Sequence, residues 1–409
     1  MSRSTSAPLH PFAIPGGFLA DLQSLRRDLH AHPEVGVQLP WTQARVLEEL
    51  AALGLEDRHL EIITGDGISS VVAVLRGGLP GPVTLLRGDM DALPILEATG
   101  LPFASTNGAM HACGHDLHVA GLIGAARLLA ARRAELPGSV ILMFQPGEEG
   151  YDGAGTMLAE GLLEAAGERP TSAFAVHVGA DSPSGVIGTR AGALMAAYSI
   201  LDVTVIGTGG HGSRPHQALD PVPAAAEIVL ALQTEVTRRF SVFDPVVVTV
   251  GEIHAGSAPN VIPEQAVLRA GVRTFSAESV RRASRELPEL AAQIGRAHGL
   301  EVAAEFREIM PATVNDAGWA QELTDVATGL FGAGRVEQLE HPRTGSEDFS
   351  RVLEAVPGAY GFVGAAAGYD PQDPPASNHS PSAQFDDSVL QDQALLLATL
   401  AWTALTKGR

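Results

Sequence analysis

Ser139-Val140-Ile141-Leu142-Met143-Phe144-Gln145-Pro146-Gly147-Glu148-Glu149-Gly150 runs from an apolar stretch directly into two adjacent acids. Ser139 to Phe144 is short, aliphatic and bounded by Pro137-Gly138 and Pro146-Gly147, which is how a buried strand reads. Adjacent carboxylates at a strand end point in different directions. One can coordinate a metal while the other takes a proton from water. The bland alternative, a solvated loop with two acids, suits an isolated Glu-Glu better than one tied to a buried strand.

Working outward, Ser70 to Leu75, Val83 to Leu86 and Ala173 to Val178 repeat the pattern of a short buried strand. An Ala/Leu-rich helical pattern runs from His118 to Glu135 and stops at Pro137-Gly138. Phe18 to about Gly54 is also helical, with interruptions at Pro33 and Pro40, and residues 1–17 read as a loose tail. Strands alternating with helices predict a mostly parallel α/β sheet covered by helices. In such sheets ligands bind where strands end. Asp89 and Asp91 follow one strand, Glu148 and Glu149 the next, and His177 closes another, so all are expected at one edge.

The densest group of candidate ligands is Met110-His111-Ala112-Cys113-Gly114-His115-Asp116-Leu117-His118, which holds the only cysteine in the chain. Its spacing matches no zinc-finger pattern. A metal site and a redox-inert turn are both compatible with it. Asp89 and Asp91 lie on the same side of a strand end, where one could orient a ligating histidine. Ser377-Asn378-His379-Ser380-Pro381 is a polar turn with one histidine.

Tyr198 to Ile309 has a different rhythm: strand, helix, strand, strand, helix, strand. That is the ferredoxin-like α+β order, and it reads as an insertion because helix-strand-helix patterning resumes after Pro311. The divisions expected are 18–192 and 310–409 for a catalytic domain and 193–309 for the insert. Within the insert, Gly207–His216 lacks any nucleotide-binding fingerprint. His211 and His216 could donate to a developing oxyanion, while Asn260 and Arg273 could bind a substrate carboxylate.

A length of 409 residues predicts two or three domains. A net charge of −20 argues against nucleic-acid binding. One cysteine forms no internal disulfide, which suits a cytoplasmic protein. The start lacks the apolar core of a signal peptide, and no apolar run approaches a membrane span.

Taken together, the motifs resemble the aminoacylase and glutamate-carboxypeptidase superfamily of dinuclear metallopeptidases, and most of all its hippurate hydrolase and indole-acetyl-amino-acid hydrolase branch. The matching pieces are Arg87–Pro94, Met110–His118, Gln145–Gly150, His177, Gly209–His216, Ala258–Pro263, Gly345–Phe349 and Asn378–Pro381. Gly88 and Gly147 depart from the alanine common in that branch. The resemblance implies Cys113, His115, Glu149, His177 and His379 as metal ligands, Glu148 as general base and Asp91 as support. It also implies two divalent ions, manganese or zinc foremost with cobalt or nickel compatible. A homodimer follows too, with His211 and Asn260 reaching the active site of the partner subunit from an inserted dimerisation domain. The expected reaction is hydrolysis of an N-acyl amino acid or similar small amide. Two alternatives stand beside it: an amidase using Cys113 as nucleophile, and a non-enzymatic metal- or ligand-binding relative.

Overall fold

Residues 11–373 and 375–407 are described by a computed structural model of the chain. The part of the tail segment before residue 11 lies outside the described residues. The chain divides into two units: unit 1 holds Met1–Gly192, Val314–Glu340 and Arg351–Arg409, and unit 2 holds Ala193–Thr313 and His341–Ser350.

The elements in chain order begin with α1 (Phe18–Ala31), α2 (Pro40–Ala51), β1 (Leu60–Thr64), β2 (Val71–Arg76) and β3 (Leu79–Asp89). They continue with α3 (His115–Ala131), β4 (Pro137–Gln145), α4 (Gly153–Ala159), β5 (Ser172–Gly179) and β6 (Ile187–Thr189). The middle contains β7 (Ala197–Ile206), α5 (Pro221–Arg239), β8 (Val247–Ala255), β9 (Gln265–Thr274), α6 (Ala277–Ala297) and β10 (Glu301–Met310). Last come α7 (Ala317–Phe331), β11 (Val336–Gln338), α8 (Ser350–Ala355), β12 (Gly358–Gly364) and α9 (Leu390–Lys407).

Unit 1 is built on one sheet with strand order β1-β2-β4-β3-β5-β12-β6-β11. Its centre, β4-β3-β5-β12, is parallel throughout. The flanks are mixed, because β1 and β2 are antiparallel neighbours, β2 runs antiparallel to β4, and β6 runs antiparallel to β12. Strands β4, β5 and β12, and β3 from Val83 onward, are buried almost throughout, which is why they read as continuous apolar runs without alternation. Strand β1 escapes that signal, since only Leu60 of its five residues is buried. Pro40 opens α2, where its missing N–H costs nothing. Helix α3 is buried around nearly its whole circumference, held between α9, α1 and β3.

Unit 2 carries an antiparallel sheet of order β8-β9-β7-β10. Read in chain order as strands one to four, that is the ferredoxin-like arrangement, with α5 and α6 packed on the sheet. The alternating burial of β7 shows one face on the core and the other outward. Asp220 caps α5 by accepting from Val222 N, and Ser276 caps α6 by accepting from Ser279 N.

Both family departures have a structural reason. A Cβ on Gly88 would lie 2.9 Å from the carbonyl oxygen of His118, a backbone atom of α3. One on Gly147, at φ +74°, would lie 2.6 Å from Val37 Cγ1. Glycine at 88 lets the first turns of α3 sit close on the end of β3. Gly88→Ala is expected to destabilise the chain by about 1–3 kcal/mol through overpacking. Thermal unfolding of the purified variant checks this, and an unchanged midpoint would show that α3 can give way freely.

Candidate active site at the strand ends

The sheet brings the sequence-predicted residues of unit 1 together. Asp89 ends β3, Glu148 and Glu149 follow β4, His177 lies among the last residues of β5, and His115 opens α3. His379 comes from a turn well after β12 and reaches the same place. Cys113 Sγ lies 3.3 Å from His177 Nε2 and 3.2 Å from His379 Nε2. His379 Nε2 is also 3.1 Å from Glu149 Oε1. Potential ligand atoms of Cys113, His115 and His177 fall within 4.8 Å of one another, as do those of Cys113, Glu149 and His379, and those of His115, Glu148 and Glu149. Cys113, His115 and Glu149 each belong to two of these groups, which joins the three groups into one cluster.

Backbone carbonyls decide which ring nitrogen faces inward. A carbonyl only accepts, so His177 Nδ1 donates to Val178 O at 2.8 Å and turns Nε2 toward Cys113. His115 Nδ1 likewise donates to Asp91 O at 2.8 Å, which leaves its Nε2 buried without a hydrogen-bond partner. His118 Nε2 accepts from Val178 N, so its Nδ1 carries the proton and donates to Asp89 Oδ1 at 2.5 Å. His118 is thereby a prop under the β5 end, and Asp89 is in turn held by Arg87 Nη1 at 2.6 Å.

Asp91 does more than its position in the sequence suggests. Its carboxylate accepts from Glu148 N and Glu149 N, both at 3.0 Å, and its main-chain carbonyl holds His115. The carboxylate lies 3.5 Å from His115 Nδ1, so it orients the loop of the two acids more directly than the imidazole. Beneath α3, buried Asp116 is met by Arg26 Nε at 2.7 Å and His30 Nδ1 at 2.8 Å, and His30 Nε2 reaches Glu97 at 3.1 Å.

The charges follow from these contacts. Burial pushes the Asp89 carboxyl up, but Arg87, His115 and His118 outweigh it and hold the group well below its ordinary value. Burial and the neighbouring His118 keep His177 well below the ordinary histidine range, and burial takes His111 down to about 3. His379 goes the other way, pushed up to about 10 by its contacts with Cys113 and Glu149.

The four residues singled out in the insert lie in unit 2. His211 and Asn260 are neighbours there: His211 pairs with Val261, and Gly212 N donates to Asn260 O at 2.8 Å. His211 Nδ1 accepts from Ser213 N at 3.1 Å. His216 is exposed in a short 3-10 turn, Pro215–Gln217. Arg273 holds Ser346 Oγ at 3.4 Å, with its guanidinium 4.5 Å from the Tyr198 ring centre.

A parallel-centred α/β sheet with thiol, imidazole and carboxylate donors gathered at its strand ends, plus an α+β insertion, defines a metallohydrolase. The chain belongs to peptidase family M20/M25/M40, whose sequence profile matches residues 85–403. It is 35% identical to the N-acetylcysteine deacetylase of Bacillus subtilis (strain 168), over 94% of this chain and 97% of that protein. It is 36% identical to IAA-amino acid hydrolase ILR1-like 2 of Arabidopsis thaliana, over 92% of this chain and 83% of that one. The crystal structure of the YXEP protein of Bacillus subtilis, a dinuclear metal binding peptidase from the M20 family, superposes with a TM-score of 0.82 at 32% identity. That match covers 97% of this chain and 100% of the other.

In the metal-free chain His379 is expected to titrate near 10. Cys113→Ser should bring it back toward its ordinary value, as read from imidazole chemical shifts against pH. Because the folded value is raised, the contact stabilises the chain fully below about pH 6.5 and is lost as pH climbs toward 10. A His379 titration unmoved by Cys113→Ser would show that the thiol contact is not its cause.

Proposed function

We propose that this chain is a metal-dependent amidohydrolase, cleaving an N-acyl amino acid or related small amide to a carboxylic acid and an amino acid. The observation that carries this reading is the convergence of Cys113, His115, Glu149, His177 and His379, with Glu148 adjacent, in a chain related to a deacetylase and an amino-acid hydrolase.

The donors fit a pair of divalent ions. His115 Nε2 is buried without a hydrogen-bond partner and 3.4 Å from Asp89 Oδ2, His177 Nε2 faces Cys113 Sγ, and Cys113 Sγ lies within reach of both His177 and His379. Thiolate, imidazole and carboxylate together suit zinc or manganese first, and cobalt or nickel as well. The chemistry supplied by two such ions is polarisation of the amide carbonyl and acidification of water. Glu148 is the base: its carboxylate takes the proton from water and returns it to the departing amine nitrogen. Asp91 fixes the Glu148 main chain and so holds that carboxylate on station. From the inserted domain of the partner subunit, His211 would donate to the oxyanion and Asn260 would bind the substrate carboxylate, with His216 and Arg273 as further carboxylate-binding candidates of that domain.

A homodimer through unit 2 is part of the same reading. Its support is that unit 2 exposes large apolar side chains, Leu230 at 70%, Val242 at 77% and Phe243 at 95%, with Ile253 at 55% on edge strand β8. Among the described residues no helix is long and apolar enough to cross a membrane.

One geometric feature favours a second reading. The pairing of Cys113 Sγ with His379 Nε2 at 3.2 Å also suits a cysteine nucleophile with a histidine base. The two readings part under chelation. Against a panel of N-acetyl, N-benzoyl and indole-acetyl amino acids, the metal reading expects activity to vanish with chelator and return with added metal. Glu148→Ala should lower kcat by about 10²–10⁴-fold while metal content stays at the wild-type level. Activity that survives chelation and dies on thiol alkylation would replace the metal mechanism with the nucleophilic one.

A further inference from the structure

We propose that Asn378 is a positioning residue whose single side-chain amide sets Cys113, His177 and His379 relative to one another. The inference rests on reading the cluster as a metal centre.

The amide of Asn378 meets three main-chain groups from two other segments of unit 1. Nδ2 donates to Cys113 O at 3.1 Å and to Val178 O at 3.0 Å, and Oδ1 accepts from Ala180 N at 2.8 Å. Only one orientation of the amide satisfies this set, because two carbonyls face the nitrogen and one N–H faces the oxygen. Both amide hydrogens are therefore committed, and Nδ2 also lies 3.8 Å from Cys113 Sγ.

Each contact bears on a candidate ligand. Cys113 is held through its own carbonyl. Val178 O is the same atom that receives His177 Nδ1 at 2.8 Å, so Asn378 anchors the acceptor that turns His177 Nε2 inward. His379 is the next residue in the chain, and it sits at φ +69°, a left-handed conformation that is strained for a non-glycine residue. Such a conformation persists only when its surroundings over-determine it. Asn378 on one side and His379 N donating to Ala112 O at 2.9 Å on the other supply that determination. Support of this kind behind a ligand is commonly worth 10–100-fold in metal affinity.

Asn315 provides a control. It is a buried amide of the same unit that ties four groups together, Thr189 Oγ1, the carbonyls of Arg190 and Tyr360 and the N–H of Tyr360, none of them belonging to a candidate ligand. Cobalt(II) titration of the metal-free full chain, followed by sulfur-to-cobalt absorption and by competition with a chromophoric chelator, is the test. Asn378→Ala should weaken cobalt binding by about 10–100-fold and shift or weaken the sulfur band. Asn378→Asp, matched in size but turning an acceptor toward two carbonyls, should do the same if the alanine variant folds poorly. Asn315→Ala should lower the unfolding temperature and leave the cobalt spectrum as in wild type. Wild-type affinity and spectrum in a folded Asn378 variant would overturn the proposal, as would an equal change in Asn315→Ala. A wild-type chain that takes up no cobalt would instead bring down the reading of the site, and the clamp with it.

Discussion

Asp91 is the point on which the arrangement of unit 1 turns. Within one fully buried residue, both carboxylate oxygens accept from consecutive N–H groups of the acid loop and the carbonyl accepts from His115. A buried carboxylate is tolerated when its lone pairs are met, and here they are met by main chain, which cannot swing away as a side chain can. The end of β3, the loop after β4 and the start of α3 therefore share one fixed reference. Remove it and three segments lose their common register at once.

Around that pin the polar groups are stacked in depth. Arg87 holds Asp89, Asp89 holds His118, and His118 takes the N–H of Val178 beside His177. A second buried set, Arg26, His30 and Asp116, lies under the opening of α3, where burial raises the Asp116 carboxyl but Arg26 and His30 more than reverse it. Buried ions are costly unless paired, so these sets make weak claims on stability and strong ones on geometry. Their value is that a partner removed leaves a stranded charge, which selects one arrangement over its near neighbours.

Much of this was legible in the residues. The apolar run before Glu148 and Glu149, the strands before Asp89 and through His177, and the βαββαβ order of the insert follow from period and punctuation. Joining Cys113 to His379 required the family resemblance, since nothing local ties residues so far apart in the chain. Three features left no local trace. The antiparallel β1–β2 flank of the sheet is a short hairpin whose outer strand is mostly exposed. The role of Asp91 toward the acid loop depends on main-chain donors, which every residue possesses. Asn378 lay unremarked beside the candidate ligand His379 because amides are common in turns, and only tertiary contact shows what it reaches.

The place of β12 in the sheet has a consequence for the making of the protein. It lies between β5 and β6 in the finished structure, yet it is synthesised only after the whole of unit 2. As the chain leaves the ribosome, β5 and β6 must wait with unpaired backbone edges open, while unit 2 already has its four-stranded sheet and both helices. His379 arrives later still. The nascent chain thus passes through a stage in which the insert can be complete and the catalytic sheet has a slot in its middle, the kind of exposed edge that invites wrong pairing. Chaperone demand and aggregation during synthesis should concentrate in that interval, and the last strand to be placed is the one that closes it.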